Sequence, residues 1–114
     1  MPTAKADLDF LTIGELLVDF SQTTPGPQGY PQYEALPGGA PANVAVALAK
    51  WGLRAGFLGN VGEDALGGML AATLHGAGVD CSRLLPSKAP TSLAMGRSRC
   101  GPGPRRWWGP ADRC

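Results

Sequence analysis

The stretch Pro37-Gly38-Gly39-Ala40-Pro41-Ala42-Asn43-Val44-Ala45-Val46-Ala47-Leu48-Ala49 decides the fold of this chain. Two glycines, a proline and an asparagine stand directly before a clean helical pattern. Gly38 and Gly39 lack a Cβ, so a ligand can approach the main chain and φ can turn positive. Pro41 suits the first turn of a helix, where its missing N–H costs nothing. The N–H groups of that turn favour oxygen-rich or anionic ligands. On these residues alone, a tight turn that merely starts a helix explains the run equally well.

Outward from this stretch, the helix is expected over Pro41 to Trp51, with Val44, Leu48 and Trp51 forming one apolar stripe. Its many alanines favour helix and close packing on a sheet, and Gly52 suits its end. Upstream, Asp9 to Ile13 reads as a short buried strand ended by Gly14, and Leu16 to Val18 continue the apolar run to Asp19. Such near-continuous apolar runs suit a parallel sheet covered on both faces. Ser21 to Pro31 is a loop rich in Pro, Gly and Gln, and Gln32 to Leu36 fits a short exposed strand. Downstream, Ala55 to Val61 is a second buried strand. Asp64 caps a helix running to about His75, with Leu66, Met69, Leu70, Thr73 and Leu74 on one face, closed by Gly76 and Gly78. Val79 to Cys81 leads to a short segment, and Thr91 to Met95 is a further strand. Strand, helix, strand, helix, strand is the rhythm of an α/β domain.

The chain has 114 residues and a formal net charge of +1, which gives no general attraction to nucleic acid or membrane. That total hides an asymmetry: residues 1–95 hold five Lys/Arg and eight Asp/Glu, whereas residues 96–114 hold five Arg and one Asp. No apolar run approaches the roughly 20 residues of a membrane helix. The first residues lack a signal-peptide layout, so the expected compartment is the cytoplasm. Cys81, Cys100 and Cys114 show neither zinc spacing nor a disulfide framework and are expected to be free thiols. His75, the one histidine, is expected to be a solvated residue at a helix end. Residues 96–114 keep no period. Three readings stay open for them: an out-of-frame end, a disordered native tail, or a basic tail whose Trp107-Trp108 binds RNA or protein.

Three segments, taken in order, resemble the start of the ribokinase-like (PfkB-type) carbohydrate kinases. They are Gly14-Glu15-Leu16-Leu17-Val18-Asp19, the Gly38-Gly39-Ala40-Pro41-Ala42-Asn43 helix start, and Gly59-Asn60-Val61-Gly62-Glu63-Asp64. The wording of the second is most similar to the fructokinase branch. The resemblance runs from about Leu8 to Met95. It implies a ribokinase-like doubly wound α/β sheet, here the N-terminal portion only, βαβαβ plus part of the lid strands. It divides the chain into residues 1–95, part of a sugar kinase domain, and the tail 96–114.

The resemblance also implies a site. The family's first aspartate, its Gly-Gly pair and its asparagine contact sugar hydroxyls, and those roles fall on Asp19, Gly38, Gly39 and Asn43. Carboxylates and carboxamides suit hydroxyl recognition because each can bind two hydroxyls. Read without the family, Asp19 is a loop carboxylate and Asn43 a side chain serving helix N–H groups. Glu15 is a further candidate that also reads as a loop anchor. Leu17 stands where ribokinases carry a polar residue, which favours a fructokinase-like pocket over a ribose pocket. The family uses ATP and Mg2+, and its members dimerise through lid strands. Its catalytic base lies in a G-A-x-G-D motif absent from this sequence, so neither catalysis nor ATP binding is expected of this chain alone. The alternatives are a PfkB-type kinase for ribose, a 2-keto-3-deoxy sugar acid or a nucleoside, and a non-catalytic α/β piece with a binding tail. The Gly59–Asp64 turn fits neither nucleotide-loop pattern.

Overall fold

The computed structural model describes residues 7–96. The tail beyond Gly96, with Cys100, Cys114 and Trp107-Trp108, lies outside the described residues. The element order is β1 (Phe10–Ile13), β2 (Leu17–Gln22), β3 (Tyr33–Gly38), α1 (Ala40–Lys50), β4 (Ala55–Gly62), α2 (Ala65–Gly76), β5 (Leu84–Ser87) and β6 (Ser92–Gly96).

Two small sheets form, in the orders β1-β4-β5 and β3-β2-β6. The first, here called the core sheet, is parallel throughout and has the helices as its crossovers. The second, the lid sheet, pairs β2 with β3 antiparallel and with β6 parallel. Prolines mark the edges of both: Pro37 lies in β3 and Pro86 in β5, each a terminal strand of its sheet. β5 is the short segment expected after Val79 to Cys81; Leu84-Leu85-Pro86-Ser87 is too short to show a period, so its bounds were not legible.

One cluster joins Val46 and Ala45 of α1, Phe57 of β4, Leu70 and Leu74 of α2, Val79, Leu16 and Val18. Both helices therefore share the Phe57 face of the core sheet. The opposite face carries Leu11, Ile13 and Leu85, which are 41%, 65% and 52% exposed, so the expectation of a sheet covered on both faces does not hold for the described residues. The buried first strand is corrected with it: β1 is mostly exposed. The apolar run from Phe10 to Asp19 is not continuous either. Gly14, with φ of 150°, interrupts it, and the two halves enter different sheets.

The first helix turns the other way from its sequence pattern. Val44 is 50% exposed and Trp51 77%, while Ala42, Ala45 and Val46 are buried. Ala42 and Ala45 let the helix approach the sheet closely, Val46 fills the contact beside them, and Val44 and Trp51 are left outside. Gly52 ends the helix at φ 85°. In α2 the expected face is the observed one: Leu70 and Leu74 are buried, with Leu66 and Met69 packed beside them. Asp64 caps this helix by accepting the Gly67 N–H at 2.7 Å. His75 is exposed in its last turn. Cys81 is a free, half-buried thiol whose pKa is pushed up by burial and by neighbouring Asp80. No helix among the described residues is long and apolar enough to cross a membrane.

Candidate functional site

The four residues singled out by resemblance converge where the lid sheet meets the start of α1. Asp19 does not end its strand, as the sequence suggested. It stands in the middle of β2, opposite Leu36 of β3 and Ala94 of β6. Alternation along β2 sends Val18 into the core, fully buried, and puts Leu17 and Asp19 together on the other face. Both reach over Gly38. A Cβ built there would lie 2.7 Å from Asp19 Oδ2 and 3.0 Å from Leu17 Cδ1. Gly38 is thus packed directly under the ends of the Asp19 and Leu17 side chains. Leu17 places an apolar wall beside that carboxylate, where a polar residue would have offered a hydrogen bond.

Gly39 has φ of 107°, a backbone state that favours glycine. It also lies against the backbone carbonyl of Glu15, with no room for a Cβ. Gly14 packs on the Pro41 ring, 2.6 Å from a built Cβ to Pro41 Cγ. The segment before β2 and the segment after β3 are in this way pressed together at the helix start. Glu15 takes part through its carbonyl, and its side chain is exposed.

Asn43 sits in the first turn of α1, where its backbone N–H donates to the Gly39 carbonyl at 3.0 Å. Its side chain caps nothing: the N-terminus of α1 has no side-chain hydrogen bond. Among the described residues, Asn43 Oδ1 is the buried side-chain oxygen without a hydrogen-bond partner. Such an acceptor costs about 1–3 kcal/mol if left unsatisfied. The reading of Asn43 as a server of helix N–H groups is therefore not what the geometry shows. The link from Asp19 to Asn43 runs through Gly38 and Gly39.

A groove of about 410 Å3 opens beside this junction, between the ends of β1 and β4 and the entrance to the lid. Gly14, Glu15, Gly59, Asn60 and Ser92 line it, together with Leu16 and Leu58. None of Asp19, Gly38, Gly39 or Asn43 lines it. Asn60, near the carboxyl end of β4 and exposed, was not singled out by motif; its place at the end of a parallel strand was the available signal. No group of three or more His, Cys, Asp and Glu that could hold a metal occurs among the described residues.

The fold agrees with the comparisons. The model of the pfkB family carbohydrate kinases matches residues 7–98. Fructokinase-1 of Oryza sativa subsp. japonica is 47% identical over 72 residues, covering 61% of this chain and 22% of that protein. The crystal structure of fructokinase from Xylella fastidiosa superposes with a TM-score of 0.71 at 36% identity, covering 75% of this chain and 27% of that one. Fructokinase from Vibrio cholerae O395, solved with fructose, ADP and calcium ion bound, gives 0.65 at 38% identity, with coverages of 75% and 27%. The chain thus spans about a quarter of the length of the relatives it matches. With the family's model matched over all the described residues and its fold present in both sheets, the chain belongs to the pfkB family of carbohydrate kinases.

Proposed function

We propose that this chain supplies the sugar-binding side of an ATP-dependent sugar kinase, with fructose as its substrate. The observation that carries the reading is the junction of Asp19, Gly38, Gly39 and Asn43. Asp19 offers a carboxylate on an open strand face, and Asn43 offers a buried acceptor oxygen that lacks a protein donor. Sugar hydroxyls donate to both kinds of oxygen. Similarity to fructokinases, one of them solved with fructose bound, supports fructose, as does the apolar Leu17 beside Asp19.

The part of the chain that belongs to the kinase domain ends, in this proposal, near Met95, where the charge balance reverses. The match of the family model over residues 7–98 supports that boundary. In this reading ATP and Mg2+ are held outside the described residues. Asp64, the carboxylate of the glycine-rich turn, is already engaged by Thr91 and Gly67, and no cluster of metal-ligating side chains accompanies it. Phosphoryl transfer needs a base and electrostatic stabilisation of the transferring group, so the chain's share of the reaction is binding and orienting the sugar.

Titration calorimetry of the chain with fructose and with ribose tests this. Fructose is expected to bind more tightly than ribose, and binding is expected to vanish in Asp19→Ala and in Asn43→Ala. Incubation with fructose and Mg2+–ATP is expected to yield no sugar phosphate. Fructose binding that survives Asp19→Ala, or a preference for ribose, contradicts the proposal.

A further inference from the structure

The chain passes between the core and the lid three times within the described residues: at Gly14–Leu16, at Gly39, and at the segment leading into Thr91. The first two crossings press against each other at the start of α1. The third is held by a single carboxylate. Asp64 Oδ1 accepts the Thr91 hydroxyl at 2.6 Å as well as the Gly67 N–H at 2.7 Å. Asp64 Oδ2 accepts the Thr91 N–H at 2.9 Å. Thr91 is 8% exposed, the buried polar side chain among the described residues. There is no slack around the pair. A Cβ on Gly62 would lie 2.6 Å from both Thr91 N and Thr91 Oγ1, and one on Gly67 would meet the Gly62 carbonyl.

A helix cap requires one side-chain oxygen and one N–H. Here two of three bonds go instead to a residue 27 positions away. That residue immediately precedes β6, which pairs with β2 in the register Leu17 to Ser92 and Asp19 to Ala94. We infer that Asp64 is a positioning residue: through Thr91 it fixes the start of β6, and through β6 it sets the strand that carries Asp19. The fastening stands on geometry alone. Its consequence for a sugar rests on the proposed role of Asp19.

The test is amide exchange on the full chain and on three variants, followed peptide by peptide. Asp64→Ser keeps a side chain able to cap α2 but removes the second oxygen and the reach to Thr91. Thr91→Val removes the hydroxyl with little change in shape, and Thr91→Ser restores it. Asp64→Ser and Thr91→Val are expected to speed exchange in residues 92–96 and in β2 by about tenfold or more, the scale of losing a hydrogen bond to a charged group. Exchange in α2 and β4 is expected to stay within about twofold, and Thr91→Ser to match the parent. If exchange in residues 92–96 is unchanged, or α2 and β4 accelerate equally, Asp64 is only a helix cap and the inference fails. A positive exchange result without any fructose binding would instead count against the sugar reading and leave the fastening intact.

Discussion

Around Phe57 the core sheet is held by burial: Phe57, Val46, Ala45, Leu70 and Leu74 are almost completely shielded and drawn from three elements. The lid sheet has Val18 as its buried apolar side chain, while Leu93 and Met95 of β6 are 56% and 69% exposed. Its strands are instead fastened where they leave the core, by glycine contacts at one end of β2 and by Asp64 and Thr91 at the start of β6. The core resists change because many contacts share the load. The lid is placed by a few contacts, and it bears Asp19. A substitution that destabilises the molecule and one that misplaces the site should therefore fall in different regions.

The largest effect is expected in the core. Phe57→Ala should cost about 3–5 kcal/mol in a chemical melt, a large share of the ~5–15 kcal/mol available to a domain. The matching lid change, Met95→Ala, should stay within about 0.5 kcal/mol. Comparable losses at the two positions would erase the contrast.

Next in size is the junction. Gly39→Ala forces a side chain into a left-handed backbone and against the Glu15 carbonyl, at a cost of about 2–3 kcal/mol. Gly52→Ala is the control: its φ is also positive, at 85°, but nothing lies near its built Cβ. It should cost about 1 kcal/mol. Equal melts for the two variants would show that backbone conformation alone, and not the close approach of two crossings, fixes residue 39.

The Asp64 fastening gives a pH dependence. Hydrogen bonds from the Thr91 hydroxyl, the Thr91 N–H and the Gly67 N–H hold its pKa below the ordinary carboxylate value. A depressed folded pKa contributes stability that is present above the unfolded pKa and lost as pH falls through the folded one. Residues 92–96 should thus keep their protection at neutral pH and lose it on acidification below the ordinary carboxylate range. The difference between the parent and Asp64→Ser should close in the same window. A difference that persists into strong acid would remove the charge from the explanation.

The smallest effect belongs to the outer face of α1. Val44→Lys and Trp51→Lys should each shift the melt by no more than about 0.5 kcal/mol. Larger losses would return these residues to the core, where their spacing first put them.

That last point shows what the sequence could and could not convey. The α2 face was legible because its Leu70 and Leu74 are both large and periodic. The α1 face was not, because periodicity weighs large side chains, whereas close approach to a sheet selects small ones such as Ala42 and Ala45. Strand β4 and the caps Gly52 and Asp64 followed from local chemistry. The split of Phe10 to Asp19 between two sheets did not, since one apolar run fits one strand or two, and only pairing partners decide. The site residues were carried by motif, but their arrangement was not: alternation puts Asp19 beside Leu17 only once β2 is known to be a mid-sheet strand. The Asp64–Thr91 contact leaves no trace in spacing, because its partners are 27 residues apart.

The most direct test of the account places fructose between the two regions. Amide exchange of the full chain is measured with and without saturating fructose. A sugar held jointly by Asp19 and Asn43 should slow exchange in β2 and in the first turns of α1 together, and both protections should disappear in Asp19→Ala. Protection confined to one of the two elements, or the same protection in Asp19→Ala, would contradict a sugar site built across the junction of lid and core.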